Sequence, residues 1–168
     1  LSVTEKQKYR EPFEPLIPGV DFVRFNEVKD LESKFSDNVC AVIFESIQGE
    51  SGVRLVSEEY YKRARQITLE AGCALICDEI QCGLGRTGRW FAFQKFINSN
   101  RFDELPDLVS LAKPLGLGIP LGAVLMKEHI SNEIEIGTHG TTFGGGPLAC
   151  RLSLEFLRIL DQDKILEH

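Results

Sequence analysis

Polar residues of types that take part in proton transfer and nucleophilic attack follow three apolar runs of strand length. The runs are CAVIFESI, CALICDEI and LPDLVSLAK, and the polar residues at or after their ends are Glu45, Gln48, Glu50, Asp78, Glu79, Gln81 and Lys113. Because parallel sheets bind ligands beyond the carboxyl ends of their strands, we expect these side chains to lie near one another. Taken singly, a carboxylate at such a place commonly caps a helix or meets an arginine, and a lysine is usually solvated.

An acid and a lysine at the same edge of neighbouring strands are what an aldehyde cofactor with a ring nitrogen requires. A lysine amine can condense with the aldehyde, and a carboxylate facing the ring nitrogen keeps it protonated so that the ring can accept electrons. Desolvation or a nearby cation lowers the pKa of a lysine, which leaves a free amine able to act as nucleophile and as base. The combination predicts a site for such a cofactor around Lys113.

Glycine is dense around Lys113 and again before the last apolar segment, in LGLGIPLG and THGTTFGGGP. Bare backbone in these stretches could approach a phosphate closely. Thr141 and Thr142 precede three glycines and Pro147, so their hydroxyls could donate to an anion at the start of a helix. Two tight turns without a ligand are the alternative.

A second glycine pattern suggests a different site. Gly83, Gly85 and Gly88 in GLGRTG satisfy G-x-G-x-x-G, the spacing of a dinucleotide-binding loop. Such a loop begins as a strand ends and opens a helix directly, whereas here DEIQ intervenes and aromatic residues follow. A nucleotide-binding oxidoreductase is therefore the less favoured alternative.

The elements that must position these residues are apolar runs alternating with helical segments. Four runs are apolar on both faces, as in sheets covered by helices, and they span residues 40–47, 73–80, 105–113 and 121–127. SEEYYKRARQITLEAG predicts a helix with Ser57 as N-cap and Gly72 as its end, and Pro147 begins a closing helix. The predicted class is α/β, with a mainly parallel sheet and helices on both faces.

Three segments near the start of the sequence give weaker signals. YREPFEPLIPGV carries three prolines and a glycine, which predicts an irregular, extended segment. DFVRF alternates weakly and predicts a short strand, and NEVKDLESKFSD suits a helix.

Composition limits the classes of partner. The chain has 168 residues, of which 43% are hydrophobic and 26% charged, with a formal net charge of -6. One globular domain is the default at this length. Charges of both signs are mixed along the chain, which argues against nucleic acid as a partner. The sequence shows neither a membrane-spanning run nor the pattern of a signal peptide, so we expect a cytoplasmic protein without membrane partners.

The cysteines do not predict a disulfide framework or a metal site. Their number is odd, and the three that are close in sequence lack a CxxC pair, so most are expected to be reduced and buried. The five are Cys40, Cys73, Cys77, Cys82 and Cys150.

Four segments together resemble the class III pyridoxal-phosphate-dependent aminotransferases. AVIFESIQGESG, ALICDEIQCGLGRTG, LVSLAKPLGLGIPLGAVLM and HGTTFGGGPLAC look like four successive signature segments of that family, in the same order. The opening LSVTEKQKYREPFEPLIPG resembles the acetylornithine and ornithine aminotransferases. The resemblance implies the large domain of fold type I and the transfer of an amino group from acetylornithine, ornithine or succinylornithine to 2-oxoglutarate.

The resemblance also implies a role for individual residues. Lys113 would bind pyridoxal phosphate covalently, Asp78 would pair with its ring nitrogen, and Gln81 would lie near its phenolic oxygen. Thr142 would bind the phosphate in the site of a second subunit, which implies a homodimer. Glu45 would lie near the cofactor. Glu50 matches a glutamate that helps these enzymes choose between α- and ω-amino groups.

The sequence departs from the family in three residues and in length. Ser46 stands where proline is usual, Ser51 where glycine or alanine is usual, and Gly146 where asparagine is common. Residues 1–168 are expected to form part of the large domain, without the family's N-terminal segment and C-terminal small domain. The resemblance also implies that a strand from outside this sequence belongs between strands within it. An inactive truncated remnant is therefore the alternative function.

Overall fold

The structure, a computed structural model, describes residues 1–98 and 101–167. Its α-helices are α1 (Gln7–Arg10), α2 (Val28–Lys34), α3 (Glu58–Glu70), α4 (Glu128–Ser131) and α5 (Pro147–Gln162). Its strands are β1 (Ala41–Glu45), β2 (Ile47–Gln48), β3 (Arg54–Leu55), β4 (Ala74–Asp78), β5 (Leu108–Leu111) and β6 (Ala123–Met126). Single 3-10 turns occupy Glu11–Phe13, Ala92–Lys95, Phe102–Glu104, Lys113–Gly116 and Ile165–Glu167. None of the described helices is long and apolar enough to cross a membrane.

Four strands form the main sheet, in the order β1-β4-β5-β6. β1, β4 and β5 are parallel, and β6 pairs with β5 in the antiparallel direction. The predicted α/β class with a mainly parallel sheet is therefore confirmed. The expected gap inside the sheet is wrong, because each of the four strands is hydrogen-bonded directly to the next. Strands that follow one another along a chain commonly lie side by side, and these four do so without an inserted strand.

The predicted strand DFVRF is also wrong, because residues 21–25 form no strand. The Arg24 N–H, which a strand would use to pair with a neighbour, instead donates to the Asp30 carboxylate of α2 at 2.6 Å. The segment is held by this helix rather than by the sheet. The antiparallel pair β2-β3, which directly follows β1, was not predicted from the sequence.

Helix α3 forms where its end signals predicted it. The Ser57 hydroxyl accepts a hydrogen bond from the Tyr60 N–H at 3.1 Å, and Gly72, with φ of 65°, follows the last turn. Such a cap satisfies one of the backbone donors that the first turn leaves free. The face of α3 turned to the sheet buries Tyr60, Tyr61, Ala64, Ile67 and Thr68. Its four apolar members, Tyr60, Tyr61, Ala64 and Ile67, share one core with Val42, Leu75, Cys77, Val109 and Leu111 of the strands.

A buried charge network closes the amino end of the sheet. Asp107, which is 5% exposed and directly precedes β5, accepts from the Arg65 guanidinium at 2.6 Å and from the Leu75 N–H at 2.8 Å. Lys127 lies 2.9 Å from its other carboxylate oxygen. Burial alone would raise the pKa of Asp107, but the hydrogen bonds from Leu75, Lys127 and Arg65 outweigh that effect and hold the pKa below 3.8.

Asp107→Asn is expected to lower the free energy of unfolding at pH 7 by about 2 kcal/mol, since it removes the charged acceptor of two cations. Because the folded pKa is lowered, the wild-type contribution is present above about pH 4 and is lost as the pH falls through the folded value. Urea unfolding from pH 7 towards pH 3 should therefore show a narrowing difference between wild type and variant. Asp37→Asn, at an exposed position, should change little. If the difference in free energy of unfolding between wild type and Asp107→Asn did not change with pH, this explanation would be wrong.

Candidate functional site

The three neighbouring parallel strands end at one edge, and that edge collects the predicted acids and the lysine. Glu45, the last residue of β1, lies directly opposite Asp78, the last residue of β4. Asp78 in turn lies opposite Ser110 of β5, and Lys113 follows that strand after one intervening residue, Ala112. The sheet therefore brings Glu45, Asp78 and Lys113 together, as their positions after apolar runs predicted.

Lys113 has an unusual backbone conformation for a residue with a side chain. It begins the 3-10 turn Lys113–Gly116 with φ of 44°, in the left-handed region that residues other than glycine rarely adopt. Conformations of this kind cost of order 1–3 kcal/mol and occur preferentially at functional sites. The turn is anchored by the buried side chain of Leu115 and packs against α5. The Lys113 amine itself stays exposed and lies 3.4 Å from Gln81 Oε1.

The two carboxyl groups at this edge, Asp78 and Glu45, have different surroundings. Asp78 Oδ1 accepts the Ile80 N–H at 3.0 Å, which turns the chain sharply after β4. Burial raises the pKa of Glu45, and the facing Asp78 raises that pKa further, while Lys113 opposes both effects. Glu45 therefore keeps its proton to a higher pH than an ordinary glutamate. Asp78 and Lys113 therefore both lie close enough to the Glu45 carboxyl group to act on it.

Gln81 is positioned by a glycine that follows β2. A Cβ atom built on Gly49 would lie 2.3 Å from Gln81 Nε2, a separation that real side chains do not tolerate. The bare backbone of Gly49 thus forms the surface against which the Gln81 amide rests. The sequence offered no signal for this contact, because the two residues are distant along the chain and each belongs to a separate polar cluster.

Glu50 and Thr142, the other two residues predicted for the site, make fewer contacts with it. Glu50 is exposed after β2, its backbone carbonyl accepts from Lys6 Nζ at 3.0 Å, and its charge contributes to the raised pKa of Glu45. Thr142 is exposed in the glycine-rich segment before α5. Within residues 1–98 and 101–167, no hydrogen bond joins Thr142 to Lys113 or Asp78.

Glu79 is a residue whose role the sequence did not indicate. It is 1% exposed, and its carboxylate accepts from the Ser46 hydroxyl at 2.6 Å and from the N–H groups of Ala92 and Phe93 at 2.8 and 3.0 Å. The Cys82 thiol donates to it at 3.3 Å. Since Asp78 and Glu79 are adjacent, the chain turns one carboxylate to the open edge and the other into the interior.

Gly83 and Gly85 of GLGRTG serve packing, and the segment does not begin a helix. The segment consists of turns, and the next regular element is the 3-10 turn Ala92–Lys95. A Cβ on Gly83 would lie 2.8 Å from the Glu79 carbonyl oxygen, and one on Gly85 would lie 2.9 Å from the Leu166 side chain. These close approaches explain both glycines without a dinucleotide.

Comparisons with known proteins give the family of the chain. The family model described as aminotransferase class-III matches residues 1–168. The acetylornithine aminotransferase of Archaeoglobus fulgidus is 40% identical over 168 residues, covering 100% of this chain and 43% of that protein. The acetylornithine aminotransferase of Clostridium acetobutylicum is 45% identical over 167 residues, covering 99% of this chain and 42% of that protein.

Solved structures give the same result for the fold. The ornithine aminotransferase of Toxoplasma gondii ME49 superposes with a TM-score of 0.87 at 34% identity, over 99% of this chain and 38% of that one. The acetylornithine aminotransferase of Elizabethkingia anophelis gives a TM-score of 0.77 at 34% identity, over 86% of this chain and 36% of that one. The chain thus spans about two fifths of the length of these relatives. The predicted type I fold is confirmed, and the chain belongs to the class III aminotransferase family.

Proposed function

We propose that this chain carries the cofactor-binding lysine of a pyridoxal-phosphate-dependent aminotransferase. The observation that supports this most directly is the position of Lys113. It follows β5 in a strained backbone conformation, at the edge where Glu45 and Asp78 end the neighbouring strands, with its amine 3.4 Å from Gln81. A lysine, a carboxylate and an amide at one sheet edge are the groups that such a cofactor needs.

The residues present fit the cofactor. Lys113 Nζ is exposed and can form a covalent bond to an aldehyde carbon. Asp78 uses Oδ1 for the Ile80 N–H, and its Oδ2 has no hydrogen-bond partner in the described part of the chain, so it can accept from a protonated ring nitrogen. Gln81 can contact the phenolic oxygen from beside the lysine. When bound, pyridoxal phosphate supplies the electron-accepting ring that amino-group transfer requires.

In the reaction, the chain's own residues hold and move protons. Lys113 Nζ is the base placed to take the proton from the carbon that carries the donor's amino group and to return a proton on the acceptor side. Asp78 would accept a hydrogen bond from the ring nitrogen through Oδ2 and so hold a proton at that atom. Glu45, whose pKa is raised by burial and by Asp78, adds less negative charge to this edge than an ionised glutamate would.

The proposed amino donor is N-acetylornithine or a close relative, ornithine or succinylornithine, and the proposed acceptor is 2-oxoglutarate. The names of the Archaeoglobus and Clostridium relatives support the donor. Glu50, exposed beside Glu45, is proposed to help the site choose between α- and ω-amino groups. Thr142 is proposed to serve the phosphate site of a second subunit, since it lies in an exposed segment.

The test is to incubate the purified chain with pyridoxal phosphate, reduce with borohydride and locate the adduct by peptide mass spectrometry. An adduct confined to Lys113 supports the cofactor site, whether or not the chain turns over acetylornithine. Labels scattered over exposed lysines would overturn the assignment for this chain. An adduct on Lys113 without transamination of acetylornithine, ornithine or succinylornithine would favour the inactive remnant.

Gly49→Ala is expected to weaken the binding of pyridoxal phosphate about tenfold, because the new methyl group displaces the Gln81 amide from its place beside Lys113. The dissociation constant can be measured by absorbance titration. Gln81→Ala is the matched variant. Because both changes remove the same contact, the double variant should bind no more weakly than Gln81→Ala alone. Additive losses would show that Gly49 acts through something other than Gln81.

A further inference from the structure

Two cysteines lie side by side at the end of the sheet opposite Lys113. Cys40 directly precedes β1 and Cys73 directly precedes β4, and the next residues, Ala41 and Ala74, are register partners. The Ala74 N–H donates to the Cys40 carbonyl at 3.0 Å, so the pairing extends to this position. Neighbouring parallel strands lie about 4.8 Å apart. That spacing falls within the roughly 4.4–6.8 Å between Cα atoms that a disulfide spans.

The two thiols also face the same space. Both cysteines line one open groove of about 1220 Å³, where the Cys40 side chain is exposed and that of Cys73 is partly exposed. Burial raises the pKa of Cys73, and Cys40 is close enough to raise it further. Cys77 and Cys82, by contrast, are buried in the interior. Cys40 is therefore the thiol that a reagent reaches first, and Cys73 is its neighbour.

We propose that Cys40 and Cys73 are a redox modification site that forms a reversible disulfide by exchange with a low-molecular-weight disulfide of the glutathione type. The Cys40 thiolate attacks one sulfur of the reagent, forms a mixed disulfide and releases one thiolate. Cys73 then loses its proton and attacks the Cys40 sulfur, which releases the second thiolate. Two protein thiols are oxidised and one reagent disulfide is reduced to two thiols, so atoms and electrons balance.

A metal does not explain the pair equally well. Soft metal ions held by thiolates in proteins usually take four ligands. Within residues 1–98 and 101–167, no group of three or more histidine, cysteine, aspartate or glutamate side chains is arranged to hold an ion. Two thiols next to each other are sufficient for a disulfide.

The bond would connect two strands that carry the candidate site at their other ends. β1 and β4 begin just after Cys40 and Cys73 and end at Glu45 and Asp78. Oxidation would close a loop that contains β1, the β2-β3 pair and α3. It would restrict separation of the two strands during unfolding, so the oxidised chain should resist urea more than the reduced chain does.

The experiment is to equilibrate the folded chain with oxidised and reduced glutathione, quench with acid, alkylate free thiols and identify linked peptides by mass spectrometry. We expect a Cys40–Cys73 linkage that dithiothreitol reverses, with little glutathione remaining on Cys40. In Cys73→Ser, glutathione should accumulate on Cys40, because the second thiol is missing. A stable glutathione adduct on wild-type Cys40 with Cys73 still open to alkylation would overturn the proposal.

Two controls separate the folded geometry from chance pairing. Cys150→Ser removes a partly exposed cysteine outside the pair and should leave the linkage unchanged. In urea, the same treatment should distribute disulfides among the five cysteines. An equal preference for Cys40–Cys73 in folded and unfolded chains would contradict a site built by the sheet.

Discussion

Replacement of Lys113 by alanine is expected to abolish the borohydride-trapped adduct with pyridoxal phosphate. The variant removes both the amine that bonds the cofactor and the base that moves the proton. In any form of the protein that transaminates, loss of the acid–base role alone should lower kcat by about 10²–10⁴-fold. The measurement is peptide mass spectrometry of the reduced adduct, combined with kcat wherever the wild type turns over.

Two further lysine variants test whether the loss of the adduct depends on the amine of Lys113. Lys113→Arg keeps a positive charge at the same place but cannot form the covalent bond, so it should also remain unlabelled. Lys95→Ala removes an exposed lysine outside the site and should retain the adduct. Labelling of the Lys113→Ala protein at a wild-type level would show that another lysine binds the cofactor.

The site could be predicted largely because its residues follow apolar runs. In a parallel sheet, the end of each buried strand fixes the position of the residue that comes next. Glu45 and Asp78 therefore became register partners, and Lys113 joined them, without any knowledge of the loops. Helix α3 was equally predictable, since Ser57 and Gly72 are local signals for its two ends.

Other features depend on contacts between distant parts of the chain, which periodicity cannot reveal. The predicted strand at residues 21–25 is absent because a side chain of α2 takes the Arg24 N–H. The contact of Gly49 with Gln81 arises only when the turns after β2 and β4 meet, and no local pattern marks the left-handed backbone of Lys113. The error about a gap in the sheet came from the family resemblance, which was carried over without knowledge of the strand order in this chain.

Glu79→Ala is expected to be among the most destabilising single substitutions in this chain, with a loss of about 4–5 kcal/mol in the free energy of unfolding. The carboxylate is buried, and its removal leaves the Ser46 hydroxyl and the N–H groups of Ala92 and Phe93 without their acceptor. Each buried donor left unsatisfied costs about 1–3 kcal/mol. Small domains have only about 5–15 kcal/mol of stability, so much of the folded population would be lost near physiological temperature.

Urea unfolding followed by circular dichroism measures this loss, and Glu133→Ala, at an exposed position, should shift the midpoint little. Glu79→Gln tests whether the free energy of unfolding depends on the negative charge of this side chain or only on its shape. Its amide group would direct N–H donors towards donors of the chain, so it should rescue only part of the loss.

The Cys82 thiol gives a local measure, because burial and the Glu79 carboxylate raise its pKa to about 12. If Glu79 organises this interior, both variants should make Cys82 more reactive towards alkylation at pH 8 while Cys40 is unaffected. Unchanged stability and unchanged Cys82 reactivity would mean that the loop before Phe93 is held by other contacts.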